Sequence, residues 1–112
     1  MPRFVILTHD HPYLHWDLML EAGPVLRTWR LVSLPAPGET VAATALGDHR
    51  TAYLEYEGPV SGGRGTVTQW DGGTYEWIEA RPERLEVRLD GARLRGRLVL
   101  ERIDGEKWNA LC

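Results

Sequence analysis

The sequence is poor in several features that define common protein classes. Its one cysteine is the C-terminal residue, Cys112, which excludes an internal disulfide and a cysteine-rich metal motif. No apolar run approaches the ~18 residues that a membrane-spanning helix needs. Residues 1–4 do not begin the apolar segment of a signal peptide. We therefore expect a cytoplasmic protein without a membrane partner.

Positive charge is also scarce. The chain has 13 lysines and arginines against 16 acidic residues, for a net charge of −3 at pH 7. Proteins that hold nucleic acid mainly by neutralising its backbone are usually basic. This balance argues against sequence-independent coating of DNA, whereas an enzyme that acts on a strand terminus needs only a few local contacts.

Helical patterns are nearly absent. Instead, 12 glycines and seven prolines separate short runs that are rich in Val, Leu, Thr, Tyr and Trp, as is typical of β-strands. We predict an all-β fold of eight or nine strands in one domain that spans residues 1–112. A closed or nearly closed antiparallel β-barrel of about eight strands is favoured, because closure removes exposed strand edges.

Three local predictions concern glycine-rich or aromatic segments. Asp71-Gly72-Gly73 has the composition of a hairpin turn between strands at 66–70 and 74–79. The segment 47–50 has the composition of a turn, and the alternation within 52–57 indicates a strand.

The segment 8–17 holds three of the four histidines and two aspartates. His9 ends the first predicted strand, and His15 and Asp17 share one face of the next strand. A loop that contains Pro12 can fold the chain back, so that His9 faces this pair. Two imidazoles and one carboxylate leave open positions on a metal, as in a catalytic site. The spacing leaves a second interpretation open, in which these are ordinary surface or hydrogen-bonded histidines.

A second segment, 48–53, contains the fourth histidine, His49, and Tyr53. An imidazole can hold a phosphate oxygen or act as a general acid, and a nearby phenol can donate a hydrogen bond. The alternative is that His49 caps a turn and Tyr53 is a half-buried strand aromatic. The segment 62–65, Gly-Gly-Arg-Gly, lacks the Gly-Lys-Ser/Thr of a phosphate-binding loop, and we interpret it as a flexible hairpin loop.

In its order of motifs the sequence resembles the 3′-phosphoesterase domain of bacterial DNA ligase D. The resemblance covers nearly the whole chain, although each motif is short. The matching motifs are His9…His15-x-Asp17, Leu20-Glu21, Val25-Leu26-x-x-Trp29, Asp48-His49-x-x-x-Tyr53, Gly65-Thr66-Val67-x-x-Trp70-Asp71-x-Gly73 and Leu94-x-Gly96-Arg97.

This resemblance implies a short, stand-alone enzyme that removes a 3′-terminal phosphate or ribonucleoside from a DNA primer strand during repair. His9, His15 and Asp17 would hold a divalent metal, typically manganese, with zinc or cobalt as alternatives. His49 would contact the scissile phosphate, supported by Tyr53. Expected partners are DNA 3′ ends, a separate DNA ligase or polymerase, and end-binding repair proteins.

Two positions depart from the family pattern. The family has phosphate-facing arginines where this chain has Met19 and Val41, and neither side chain can donate charge-assisted hydrogen bonds. We expect Arg50 to contribute to phosphate binding, with Arg64 as another candidate. The first hypothesis is therefore a manganese-dependent 3′-phosphoesterase. The alternatives are a catalytically impaired metal-binding barrel that serves as an accessory module, and a hydrolase for a smaller phosphate ester.

Overall fold

The computed structural model describes all 112 residues and contains nine β-strands and no α-helix. No helix in it could cross a lipid bilayer. A single 3-10 turn, Thr51–Leu54, follows the fourth strand. The strands are β1 (Arg3–His9), β2 (His15–Ala22), β3 (Val25–Leu31), β4 (Thr40–Arg50), β5 (Gly58–Pro59), β6 (Thr66–Arg81), β7 (Arg84–Gly91), β8 (Arg95–Asp104) and β9 (Lys107–Leu111).

Eight of the strands close into an antiparallel barrel. Hydrogen bonding runs in the order β1-β2-β3-β4-β9-β8-β7-β6, and β6 returns to pair with β1. The short β5 pairs with the start of β6 and lies outside this ring. The predicted closed antiparallel barrel of about eight strands is confirmed.

The barrel wall carries apolar clusters on both of its faces. Sixteen buried residues fill the interior, among them Phe4 and Ile6 of β1. The alternate β1 residues, Val5 and Leu7, belong to a second cluster of six buried residues on the outer face. Leu54 of the 3-10 turn packs onto this outer cluster. The segment after β4 therefore covers part of the outer wall and creates a second layer there.

The predicted hairpin at Asp71-Gly72-Gly73 is wrong, because β6 continues through these residues. Gly73 pairs with Gly91 of β7, and a Cβ atom on Gly73 would lie 2.1 Å from the backbone oxygen of Asp90. Glycine is therefore needed for close approach of two strands here, not for a turn.

The predictions for 47–50 and 52–57 are also wrong. Residues 47–50 continue β4. Leu46 pairs with Thr28 of β3 and His49 pairs with Leu26, so β4 has one more residue than β3 between these two pairs. This extra residue is a β-bulge, which shares its glycine-rich composition with turns. Residues 52–57 form no strand, because the 3-10 turn is held by burial of Leu54.

A buried carboxylate ties the β7–β8 connection to β6. Asp71 accepts hydrogen bonds from the backbone N–H groups of Gly72, Ala92, Arg93 and Leu94 at 2.8 to 3.2 Å. Its side chain is almost wholly buried. These contacts hold the turn between β7 and β8 in place.

We expect Asp71→Ala to lower the free energy of unfolding by about 2 to 4 kcal/mol, because backbone donors lose their charged acceptor. Urea denaturation followed by tryptophan fluorescence measures this loss. The matched control is Asp90→Ala, which removes an exposed carboxylate 3.9 Å from Arg95 and should cost under about 1 kcal/mol. Equal losses in the two variants would contradict the assigned role.

Candidate metal centre

The structure brings His9, His15 and Asp17 together on the outer face of the barrel wall. His9 of β1 pairs directly with His15 of β2, and Asp17 follows two residues along β2 on the same face. His9 Nδ1 lies 3.3 Å from Asp17 Oδ2, and His15 Nε2 lies 3.2 Å from Asp17 Oδ1. One ligand atom from each residue falls within 4.8 Å of the others. The loop after β1 therefore folds back in the way the spacing predicts.

Two atoms of this cluster are buried without a hydrogen-bond partner. His15 is fully buried, and neither its Nε2 nor Asp17 Oδ1 is aligned for a hydrogen bond, although the two atoms face each other. Buried polar atoms are almost always partnered. A cation between these atoms would satisfy both of them. Two imidazoles with one carboxylate also form a donor set that suits a divalent transition metal.

Backbone carbonyls orient both imidazoles. His15 Nδ1 donates a hydrogen bond to the carbonyl oxygen of Tyr13 at 2.9 Å, and His9 Nε2 donates one to that of Arg64 at 2.8 Å. Since a carbonyl can only accept, these two nitrogens carry the ring protons. The opposite nitrogens, which face Asp17, are then free to bind a cation. Such outer contacts are the usual support of metal-binding histidines.

The segment 62–65 lies in the hairpin loop between β5 and β6, as predicted, and the end of this loop packs tightly against the segment after β1. Gly65 has a φ of +77°, and a Cβ atom there would lie 2.2 Å from Asp10 Oδ1 and 2.6 Å from His11 Cβ. Only glycine allows this loop to reach the segment after β1. That contact places the Arg64 carbonyl against His9.

A cavity of about 300 Å³ opens beside the cluster. His9 and Asp17 of the cluster line it together with His49 and Tyr53. The β4 bulge explains how His49 reaches it. Leu46 and His49 are three residues apart and would point to opposite faces of a regular strand, yet both line the cavity.

The geometry of His49 is fixed by a local contact. His49 Nδ1 donates a hydrogen bond to the carbonyl oxygen of Gly47 at 2.9 Å, which leaves Nε2 free. The Tyr53 ring packs edge-on against the imidazole, with ring centroids 5.8 Å apart. His49 is therefore a bulged-strand residue beside a 3-10 turn, and the alternative in which it caps a turn and Tyr53 lies on a strand is wrong.

The two positions that depart from the family pattern differ in their surroundings. Met19 is buried in the outer apolar cluster and lines the floor of the cavity. Val41 lies in the interior core, on the opposite side of the wall. In this barrel, a side chain at position 41 therefore points away from the cavity.

The arginines are also distributed differently from the expectation. Arg50 does not line the cavity but an adjoining groove that shares Tyr53 with it. Arg64 lines the cavity, but its guanidinium donates hydrogen bonds to the backbone carbonyl and the hydroxyl of Ser61. Arg30 was not predicted from the sequence, yet it pairs with Asp17 across β2 and β3 and lines the cavity. The tight turn at 23–24 sets the register of β2 and β3. Counting back from this turn pairs Arg30 with Asp17, and this is the sequence signal that could have identified Arg30.

The fold and site define a small antiparallel β-barrel that carries a two-histidine, one-carboxylate cluster on its outer wall. A family model described as the DNA Ligase D 3′-phosphoesterase domain matches residues 7–102. The chain therefore belongs to the DNA ligase D 3′-phosphoesterase domain family.

Curated relatives agree with this assignment. The chain is 32% identical over 116 aligned residues to the multifunctional non-homologous end joining DNA repair protein LigD of Mycobacterium tuberculosis. This alignment covers 96% of the chain and 15% of the relative. It is 32% identical over 110 residues to LigD of Pseudomonas aeruginosa, covering 89% of this chain and 13% of the relative. The chain thus spans about one seventh of the length of these relatives.

We expect Gly65→Ala to weaken divalent-metal binding roughly tenfold, because the added Cβ displaces the loop that orients His9. Titration calorimetry with manganese(II) measures this change. Gly63→Ala is the matched control, because Gly63 also has a positive φ, +67°, but an added Cβ there meets nothing within 4 Å. A Gly65→Ala protein that binds the metal as tightly as Gly63→Ala does would show that the loop contact is not needed.

Proposed function

We propose that this protein is a metal-dependent phosphoesterase that processes DNA 3′ ends during repair. The observation that carries the proposal is one cavity that is lined by His9 and Asp17 of the two-histidine, one-carboxylate cluster and by His49. Membership of the ligase D 3′-phosphoesterase family and the names of the non-homologous end joining relatives support the same substrate class.

The cluster would hold one divalent cation through His9 Nδ1, His15 Nε2 and an Asp17 oxygen. When bound, such an ion supplies Lewis-acid polarisation of a phosphoryl group. Manganese is the ion we propose, on the basis of the family resemblance. His15 and Asp17 are more deeply buried than His9, and His9 and Asp17 line the cavity from which a substrate would reach the ion.

His49 and Tyr53, which line the same cavity, would also act on the phosphate. Because His49 Nδ1 is committed to a carbonyl, Nε2 is the atom that can meet the substrate. A protonated His49 can donate this proton to a leaving oxygen, and a neutral one can accept a proton. Tyr53 would restrain the imidazole through its edge-on contact.

The shape and charge of the site favour a strand terminus over an internal segment. A volume of about 300 Å³ fits a terminal phosphate and its sugar but no duplex. The adjoining groove, which contains Arg50 and Tyr56, would take the preceding part of the strand. Arg50 would then contact a neighbouring backbone phosphate. Extension or joining of the cleaned end would fall to a separate DNA polymerase or ligase, with end-binding repair proteins as further partners.

A second candidate function is a metal-binding accessory module without catalysis. The observation that favours it is Met19, which places a thioether on the cavity floor where the family has an arginine. Such a protein would bind the metal normally but would not turn over a 3′-phosphate.

The test is conversion of a labelled primer–template that ends in a 3′-phosphate, with manganese(II) and with chelator. We expect manganese-dependent release of phosphate, and a loss of at least about 100-fold in rate for His9→Ala, because the metal supplies several kcal/mol.

His11→Ala is the control for the histidine substitution. His11 belongs to the same loop but not to the cluster, so this variant should retain the affinity for manganese(II). No conversion by well-folded, manganese-loaded wild-type protein would contradict the phosphoesterase and favour the accessory module.

A further inference from the structure

We infer that Arg30 of β3 is the substrate-binding residue that supplies the phosphate-binding guanidinium of this site. This inference rests on the proposed function and assigns the contact that Met19 cannot make. It concerns a position from which the family resemblance carries over no functional residue.

The position of Arg30 follows from the strand pairing. Arg30 lies directly opposite Asp17 on β2, and residues that pair across antiparallel strands project from the same face. The Arg30 side chain therefore shares the outer face with the metal cluster. It lines the same cavity as Asp17 and His49.

Arg30 is the cavity arginine whose guanidinium makes neither a hydrogen bond nor an ion pair in the protein. Its Nε is buried and makes no hydrogen bond, and none of the ion pairs includes it. Arg64, by contrast, donates from Nε to the carbonyl oxygen of Ser61 at 2.7 Å and from Nη2 to its hydroxyl at 3.2 Å. A partly buried guanidinium without a counter-charge is costly to keep, and an incoming anion removes that cost.

The contact that holds Arg30 leaves its donors free. The guanidinium carbon lies 5.6 Å from the centroid of the Tyr13 ring, in a cation–π arrangement. Such stacking orients the guanidinium plane but uses none of its N–H groups. The backbone of the same tyrosine also holds His15. One residue thus sets both a candidate metal ligand and the arginine beside it.

Met19 and Arg30 flank Asp17 on the outer wall. Met19 is two residues along β2 from Asp17, whereas Arg30 is one strand away on β3. A guanidinium at either place can reach a phosphate held beside Asp17. This equivalence predicts that the arginine can be moved between the two positions.

The test compares wild type, Arg30→Met, and the exchange variant Arg30→Met/Met19→Arg. Arg27→Met is the matched control, because Arg27 lies on β3 and also stacks on an aromatic ring, Trp29 at 5.2 Å, but it pairs with the core residue Leu20 on the inward side. Each protein is loaded with manganese(II). Binding is measured by fluorescence anisotropy with an oligonucleotide whose 3′ terminus carries a methylene-phosphonate, which cannot be hydrolysed, and with the 3′-hydroxyl oligonucleotide.

We expect Arg30→Met to lose about 10- to 100-fold of the preference for the phosphonate terminus, with unchanged manganese affinity, as for a charge-assisted bidentate contact. The exchange variant should recover most of that preference, and Arg27→Met should retain all of it. The ratio kcat/KM for a 3′-phosphate should follow the same order. If wild type binds the phosphonate selectively but hydrolyses nothing, the proposed function fails while the role of Arg30 stands.

Three results would overturn the inference. They are an unchanged preference in Arg30→Met, an equal loss in Arg27→Met, and a loss of manganese affinity in Arg30→Met that accounts for the weaker binding. The last result would show that Arg30 only supports the metal cluster.

Discussion

The register of β1, β2 and β3 is the constraint on which the site depends. Leu7, Asp17 and Arg30 form one row across these strands, and His9 faces His15 in the next outward row. Because side chains alternate between faces, this register places the polar residues outside and their neighbours in the barrel core. A slip of one residue would send every one of these groups to the other face.

Closure of the barrel explains why the candidate site lies on the outside of the wall. An eight-stranded barrel of this size is filled by its own side chains, which here include the edge-on pair Trp29 and Trp108 at 5.6 Å. The outer cluster, which includes Leu54, supplies a second apolar floor. The segment from the 3-10 turn to β6 covers this floor and leaves a cavity between two layers. Gly65 lets this segment pack against the residues after β1, next to the cluster of His9, His15 and Asp17.

Much of this arrangement could be predicted from the sequence, for identifiable reasons. His9, His15 and Asp17 sit on two short strands joined by a short loop, so alternation alone brings them together. Asp71-Gly72-Gly73 was misassigned because glycine marks both tight turns and close strand approach, and only the pairing with β7 distinguishes them. The β4 bulge brings His49 to the cavity, and the β2–β3 register brings Arg30 there. Both features depend on pairing between strands, and local composition does not indicate this pairing.

We propose that His9, His15 and Asp17 form a metal centre on the outer wall. An anomalous difference map tests this directly, with crystals grown with manganese(II) and data collected near the manganese absorption edge. We expect one strong peak within coordination distance of His9 Nδ1, His15 Nε2 and an Asp17 oxygen. A fully loaded crystal without a peak there, or with the ion held elsewhere, would contradict it.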